Sequence, residues 1–283
     1  MVQAPVPVTV CADDYALSPG VSDGIRELIE LGRVTATGCM ALSPYWPGHA
    51  PGLREGPAEA GLHVTLTNHA PLGPMPLLAP SGRLPSLGAL LKASLRGLPT
   101  GVVAEARGEL VRQLDRFEQA MGRPPAFVDG HQHVHLLPGL RGVVLEVLAA
   151  RYPAGTVWLR DCAEPLPRIL ARRVAAPKAA FIAALATGLR GQAAALGIPT
   201  NRGFRGVYDL RPGHDFGRLF AAFLDPARPG ALIMVHPARP DAVLAGLDPV
   251  VEARHAERDW LASPAADAAF AKAGAVPARL NAG

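Results

Sequence analysis

Residues 6–11 read VPVTVC, an apolar and β-branched stretch that is soon followed by Asp13 and Asp14. Apolar side chains at both odd and even positions are typical of a strand that is buried on both faces, as in parallel sheets. Ser18 and Pro19 come next and suit the N-cap and the first position of a helix. The chain is therefore predicted to begin with a strand, a polar strand end and a helix.

The same alternation continues along the chain. Further strands are predicted at residues 34–40, 61–66, 126–129, 156–159, 203–207 and 231–235, and helices at 102–121, 140–150 and 216–223. Strands that alternate with helices predict an α/β fold, in which helices surround a parallel sheet or barrel. No linker divides the chain, so we expect a single domain over residues 1–283.

Composition narrows the class of protein. Hydrophobic residues make up 49% of the chain and charged residues 18%, which provides a sizeable core and excludes intrinsic disorder. The formal net charge of +4 permits an anionic partner. Aromatic residues make up only 5%, which leaves little material for stacking on bases, and we therefore expect no nucleic acid partner.

Cysteine usage and hydropathy indicate a compartment. The three cysteines, Cys11, Cys39 and Cys162, are far apart, which excludes a zinc knuckle and a disulfide framework. The first residues lack the basic and apolar regions of a signal peptide, and the chain has no apolar run long enough to span a membrane. We therefore expect a cytoplasmic protein.

Polar residues stand at the ends of five predicted strands. They are Asp13 and Asp14, then His63, then the run from Asp129 through His131, His133 and His135, then Arg160 and Asp161, and last His236. Active sites of parallel α/β folds gather at the carboxyl ends of the strands. These residues are therefore predicted to meet in one site.

The residue types at these strand ends point to metal chemistry. If residues 131–135 form an extended strand, the side chains of His131, His133 and His135 all face the same side. Imidazoles and carboxylates bind zinc, iron or manganese, whereas magnesium prefers oxygen ligands. In an adjacent aspartate pair, one carboxylate can bind a metal while the other acts as a base. The alternative for Asp13 and Asp14 is a cap on the next helix, for which Ser18 is better placed.

Several other enzyme classes lose support on details. The chain has no G-x-S-x-G of serine hydrolases and neither glycine-rich nucleotide fingerprint, G-x-G-x-x-G after the first strand or G-x-x-x-x-G-K-[ST]. Metal-dependent amidohydrolases commonly open with H-x-H at the first strand, where this chain has the Asp13 and Asp14 pair.

The motifs at the strand ends resemble a known family. Residues 13–25, DDYALSPGVSDGI, resemble the opening DDFGLSxGVNxGI of the YdjC-like carbohydrate deacetylases, the chitooligosaccharide deacetylase family. VTATG at 34–38, GLHVTLT at 61–67, DGHQHVH at 129–135 and His236-Pro237 follow in the family's order. Residues 200–209, TNRGFRGVYD, resemble the hopanoid-biosynthesis-associated branch. Tyr15 replaces the usual phenylalanine, and Ala238 replaces a frequent glycine.

The resemblance implies a distorted TIM-like (β/α) barrel and a metal-dependent N-deacetylation of an N-acetylated sugar. By position, Asp14, His63 and His131 would hold one divalent metal ion, zinc or magnesium, and Asp13 would be the base. A metal polarises the amide carbonyl and lowers the pKa of a bound water.

The remaining strand-end residues receive supporting roles. His236 is our candidate for the acid that protonates the departing amine. Arg160 either holds Asp13 ionised or contacts the sugar. His133, His135 and Asp129 are predicted either to support the ligands or to replace one of them.

A basic, apolar helical segment near residues 165–200 bears on the substrate. Between Glu164 and Asp209 the chain has seven basic residues and no acidic one, and residues 179–189 are apolar. Such a segment either packs as an ordinary barrel helix or lies in a membrane interface. With the branch resemblance, it predicts an N-acetylglucosaminyl group on a hopanoid-type lipid as the substrate and peripheral association with the inner membrane.

Three alternatives stay open at this point. They are a deacetylase of soluble chitooligosaccharides, a metal-dependent phosphoesterase on the same site and a non-catalytic binding protein. The sequence also leaves open whether the chain forms a homo-oligomer.

Overall fold

Parallel strands form the sheet at the centre of the protein. The computed structural model describes residues 4–280. Within that range the strands are β1 (Val6–Tyr15), β2 (Ala36–Cys39), β3 (Glu59–Val64), β4 (Phe127–Gly130), β5 (Trp158–Leu159), β6 (Phe204–Arg205), β7 (Leu232–Val235) and β8 (Ala275–Pro277). Their order is β5-β4-β3-β2-β1-β7-β6, every pair is parallel, and β8 pairs with the first residues of β1.

Helices surround this sheet. They are α1 (Pro19–Glu30), α2 (Trp46–His49), α3 (Pro51–Arg54), α4 (Leu87–Arg96), α5 (Thr100–Met121), α6 (Leu140–Arg151), α7 (Leu166–Arg172), α8 (Ala176–Leu185), α9 (Leu189–Ala195), α10 (Phe216–Leu224), α11 (Ala242–Leu247), α12 (Glu252–Ala262) and α13 (Pro264–Lys272). The curled parallel sheet and its helices form a half-barrel, which confirms the predicted α/β, TIM-like class. Among residues 4–280, no helix is both long and apolar enough to cross a bilayer.

The first strand and helix form for the reasons that the sequence indicates. All residues of β1 from Val8 onward are buried, as expected for a strand covered on both faces. The Ser18 Oγ accepts a hydrogen bond from the Val21 amide, and Pro19 opens α1. The predicted strand at 6–11 was too short, because β1 continues through Asp13 and Asp14 to Tyr15.

The histidine run after β4 does not form the extended strand that its alternation suggested. Residues His131–Leu136 form a 3-10 helix, and Gln132 and His133 have φ values of 53° and 61°. The chain therefore turns immediately after Gly130. His131 and His133 face the cavity described below, whereas His135 packs into the interior. The prediction that all three side chains share one side is wrong, since the twofold alternation applies only to extended backbone.

The basic apolar segment is divided into three short helices, α7, α8 and α9. Arg173 and Ala175 have φ values of 55° and 40°, which separates α7 from α8, and Gly188 at 82° separates α8 from α9. The segment therefore presents several faces rather than one continuous helix surface.

Candidate metal and catalytic site

Five of the predicted residues meet at the carboxyl edge of the sheet. Asp13 and Asp14 end β1, His63 lies on β3, His131 follows β4, and His236 follows β7. All five line one cavity of about 380 Å³. The structure thus brings together residues that are up to 223 positions apart in the chain, because parallel strands end at one edge.

A bulge in β1 lets both aspartates reach this cavity. Neighbouring strand residues normally face opposite sides of a sheet. Here the pairing with β2 shifts between Ala12 and Tyr15, and Asp14 has a left-handed φ of 69°. That conformation costs a non-glycine residue about 1–2 kcal/mol, and strained residues of this kind cluster at functional sites.

Asp14, His63 and His131 converge on one point. Asp14 Oδ1 lies 2.8 Å from His131 Nδ1 and 3.3 Å from His63 Nε2. One ligand atom from each residue lies within 4.8 Å of the others. Two imidazole nitrogens and one carboxylate fit a transition-metal ion such as zinc better than magnesium.

Asp129 orients His63 for this role. Its Oδ1 lies 2.6 Å from His63 Nδ1, and both side chains are buried. The bond leaves Nε2 directed toward Asp14. A carboxylate on the far nitrogen of a ligating histidine is a recurring feature of metal sites. Gly38 of β2 leaves room for the pair, since a Cβ atom there would lie 2.8 Å from His63 Nδ1.

Neighbouring charges shift the pKa values of Asp14 and His63. Burial alone would raise the pKa of Asp14, but Arg254 and His131 outweigh it and hold that pKa well below its ordinary value. Burial alone would lower the pKa of His63, but Asp129, Asp13 and Asp14 outweigh it and raise that pKa to about 10. The protein thus provides a negative pocket that favours a cation, either a proton or a metal.

Asp13 forms an ion pair with Arg160, a buried residue that directly follows β5. Arg160 donates to Asp13 Oδ2 at 2.8 Å and to Oδ1 at 2.5 Å, and its Nη2 lies 2.5 Å from Asp129 Oδ2. Burial raises the pKa of Asp13, and the Arg160 charge offsets part of this effect. Arg160 is 0% exposed and does not line the cavity. It therefore contacts Asp13 and not the space open to a substrate.

A second group of ligand-type atoms lies beneath the cavity. Cys11, Asp13 and Asp129 are buried and close together. The Arg160 guanidinium already lies among them, because its Nη2 also contacts Cys11 Sγ at 3.0 Å. A guanidinium cation between two carboxylates leaves no place for a metal, so this group is an ion-pair network.

His236 follows β7, the strand that pairs with β1, and lines the same cavity. Its amide donates to Glu257 Oε2 at 2.5 Å, which fixes the backbone after β7. Among residues 4–280 its Nδ1 atom is buried without a hydrogen-bond partner. Burial and the charge of Arg254 together lower the pKa of His236 to about 3. The ring is therefore neutral at physiological pH.

His133 and His135, the other two histidines of the run, lie outside the group of ligand atoms formed by Asp14, His63 and His131. His133 lines the cavity with its Nδ1 at 3.7 Å from Cys162 Sγ, and burial lowers its pKa. His135 donates from Nε2 to the Arg160 carbonyl at 3.1 Å, and burial lowers its pKa to about 3. His135 therefore supports the strand end that carries Arg160.

Two functional residues of α12 escaped the sequence analysis. Arg254 donates to Asp14 Oδ2 at 2.5 Å and to Asp248 Oδ2 at 2.7 Å. Glu257 accepts hydrogen bonds from Tyr208 at 2.6 Å and from His236. Their spacing in the sequence could have indicated that they are buried. Arg254 and Glu257 lie on the same face of α12 as the buried residues Ala253 and Leu261.

Curated proteins named as deacetylases resemble this chain in sequence over about half of its length. A mouse (Mus musculus) protein named carbohydrate deacetylase is 38% identical over 148 residues, which cover 51% of this chain and 48% of that protein. A chitooligosaccharide deacetylase of Serratia marcescens is 35% identical over 147 residues, which cover 48% of this chain and 53% of that protein. The chain thus spans about half the length of the curated relatives it matches.

A solved structure and a family model extend the likeness over nearly the whole chain. A protein from Enterococcus faecalis V583, provisionally named for cellobiose-phosphate cleavage, has a TM-score of 0.74, 22% identity and 98% coverage of both chains. That likeness shows the fold. The family model described as YdjC-like protein matches residues 7–272. This match covers both aspartates, the histidines and α12, and the chain therefore belongs to the YdjC-like protein family.

Proposed function

We propose that this protein is a metal-dependent carbohydrate N-deacetylase, which hydrolyses the amide of an N-acetylated sugar to acetate and a free amine. The observation that carries the proposal is the convergence of Asp14, His63 and His131 beside Asp13 in one cavity. The names of the curated relatives support the same reaction.

Asp14, His63 and His131 would hold one divalent ion. Such an ion supplies Lewis acidity toward the amide carbonyl and toward a water molecule. Zinc suits the two imidazole donors better than magnesium does. Arg254 reinforces the set, because its hydrogen bond to Asp14 Oδ2 leaves Oδ1 for the ion.

Asp13 is the proposed general base. It lines the cavity next to the ligand set, and its two hydrogen bonds from Arg160 favour the ionised carboxylate that must accept a proton from water. Arg160 is thus proposed to position Asp13, the first of the two roles that the sequence left open.

His236 is the proposed donor to the departing amine. It lines the same cavity as Asp13, on the neighbouring strand end, and its Nδ1, which has no hydrogen-bond partner among residues 4–280, can carry a proton. Since its low pKa favours a neutral resting ring, His236 must gain this proton during the reaction. The proton is the one that Asp13 removes from the attacking water, so that the water supplies a hydroxyl group to the acetyl carbon and a proton to the departing amine.

The wall of the cavity supports a lipid-linked sugar as the substrate. Leu87 and Leu91 of α4 and Phe181, Ile182 and Leu185 of α8 line it. Sugar hydroxyl groups need hydrogen-bond partners that these side chains do not offer, whereas an apolar aglycone gains by burial against them. We therefore propose an N-acetylglucosaminyl group on a hopanoid-type lipid.

An exposed apolar patch supports peripheral contact with a membrane. Leu166 and Leu170 project from one side of α7 and are 53% and 56% exposed, and Phe181 at the cavity wall is 48% exposed. Exposed Arg173 lies beside them. Apolar side chains next to basic ones suit an interface with anionic headgroups. Arg172 is not available for this contact, because it pairs with buried Glu164 at 2.9 Å.

A product assay tests the proposed reaction. The protein is incubated with zinc or magnesium and with an N-acetylglucosaminyl glycolipid, a soluble chitooligosaccharide or a sugar phosphate, and released acetate and phosphate are measured. We expect acetate, fastest from the glycolipid. Preference for the oligosaccharide would retain the deacetylase and reject the lipid, and release of phosphate alone would establish a phosphoesterase instead.

A further inference from the structure

A second cavity also borders α8, the helix that lines part of the catalytic cavity. It has a volume of about 690 Å³, within the range of small-molecule sites. The two cavities share no lining residue among residues 4–280. Ala183 of α8 and Ala186, which directly follows α8, line this second cavity, whereas Ile182 and Leu185 line the catalytic one. The cavity is therefore a separate feature of the fold.

Four arginines from four parts of the chain line this second cavity. They are Arg168 of α7, Arg190 of α9, Arg202 before β6 and Arg228 before β7. The basic segment of the sequence thus contributes three of its charges to one concave surface, and the fold adds a fourth from elsewhere. Small residues such as Gly188 and Gly203 line the space between them.

The two acidic residues of the cavity are already paired. Asp161 accepts a hydrogen bond from Arg190 at 2.8 Å, and Glu164 accepts one from Arg172 at 2.9 Å. Within the described part of the chain, no carboxylate lies within ion-pair distance of Arg168 or Arg228. The cavity therefore carries more positive than negative charge.

Buried Arg205 places a further guanidinium group near this cavity, with its Nε 4.0 Å from Oε1 of the lining residue Glu164. Its Nη1 donates to the Phe223 carbonyl at 2.8 Å, and among residues 4–280 its Nε has no hydrogen-bond partner. Burial lowers the pKa of Arg205, the nearby Glu164 carboxylate opposes this effect, and the charges of Arg172, Arg168 and Arg228 add to the lowering. Clustered guanidinium groups repel one another, and a bound anion relieves that repulsion.

We propose that this arginine-lined cavity binds the phosphoryl group of an anionic ligand. A guanidinium presents a planar fork of N–H donors that matches phosphate oxygens, and several such groups around one cavity can hold a dianion from more than one side. Because Ala183 belongs to α8, which also walls the catalytic cavity, a ligand here contacts the same helix as the substrate of the proposed reaction.

Calorimetric titration of the whole chain with inorganic phosphate, at constant ionic strength, tests this site. We expect saturable binding, and a Kd at least about tenfold higher for the R168A/R228A variant, because two charge-assisted contacts are lost. The R96A/R218A variant removes two exposed arginines elsewhere and is expected to keep the wild-type Kd. Circular dichroism and acetate release check that each variant is folded.

A second arm identifies the source of the phosphoryl group. Phosphatidylcholine vesicles with and without phosphatidic acid are sedimented with each variant. Binding only to phosphatidic acid vesicles, lost in R168A/R228A, would support the site and assign it to a lipid headgroup, whereas binding of inorganic phosphate supports a soluble ligand. Equal binding by R168A/R228A and the wild type, or no saturable binding in either arm, would overturn the proposal.

Discussion

The guanidinium of Arg160 donates two hydrogen bonds to the carboxylate of Asp13, at 2.8 and 2.5 Å, beneath the floor of the catalytic cavity. The arrangement fixes the direction of Asp13 and favours its ionised form against the effect of burial, without exposing Arg160 to a substrate. The relationship connects the ends of β1 and β5, which are four strands apart in the sheet.

Replacement of Arg160 by lysine is expected to lower kcat by about tenfold to a hundredfold and to leave KM nearly unchanged. A lysine keeps the charge but cannot form the planar fork, so Asp13 loses its fixed orientation. Steady-state acetate release measures both constants. R151K changes an ion-paired arginine outside both cavities and serves as the control. Unchanged kcat in R160K would show that Asp13 does not depend on the fork.

The adjacent aspartates are expected to differ in their effects. D14A and H63A should lose bound metal and activity together, while D13N should keep the metal and lose turnover, since only Asp14 belongs to the converging set. Elemental analysis gives metal content and acetate release gives rate. H255A removes a half-buried histidine that does not line the cavity and is expected to match the wild type. A near wild-type rate in D13N would exclude Asp13 as the base.

Replacement of His236 is expected to slow the departure of the amine and to leave metal binding intact. H236A should retain metal and lose amide hydrolysis by about a hundredfold or more, the usual scale for a general acid. An activated acetyl ester has a leaving group that needs no proton, so its hydrolysis should fall much less. Equal losses on the amide and on the ester, or loss of metal, would contradict the role of proton donor.

Glu257 is expected to make stability depend on pH. Burial raises its pKa from 4.5 to about 7. The proton that the folded state retains therefore contributes stability that is fully present below about pH 4.5 and is lost as the pH rises through about 7. The loss amounts to about 3 kcal/mol. Urea unfolding between pH 5 and 8 measures it.

The isosteric E257Q variant isolates this contribution. Its amide cannot titrate, yet it can still accept from the His236 amide and donate to the Tyr208 oxygen. We expect the difference in unfolding free energy between wild type and E257Q to change with pH in this window. A difference that is independent of pH would refute the raised pKa.

Removal of the apolar patch on α7 is expected to weaken membrane binding. L166S/L170S should bind anionic liposomes less well and should lose activity on a glycolipid more than on a soluble N-acetylglucosaminide, because both leucines are exposed. L95S/L247S removes two other exposed leucines as the control. Wild-type binding is expected to weaken with salt. Equal behaviour of both double variants would reject the interface.

The sequence alone was sufficient for the class of fold and for most of the candidate site. The apolar stretch at residues 6–11 predicts a buried parallel strand, and Ser18 predicts the start of α1, because both depend on local preferences. The strand-end argument indicated a group of polar residues that includes Asp14, His63 and His131, and the resemblance to the YdjC-like family selected these three as metal ligands. Parallel strands bring such ends together whatever the details of packing.

Only the tertiary structure decided how these residues act. The direction of His135 depends on the turn after Gly130, and the left-handed Asp14 depends on a bulge against β2. The partners Arg254 and Arg160 lie 240 and 147 positions from the aspartates they contact. The local periodicity of the sequence does not indicate such pairings, because they form only when charged residues that are distant in the chain are buried together in the folded core.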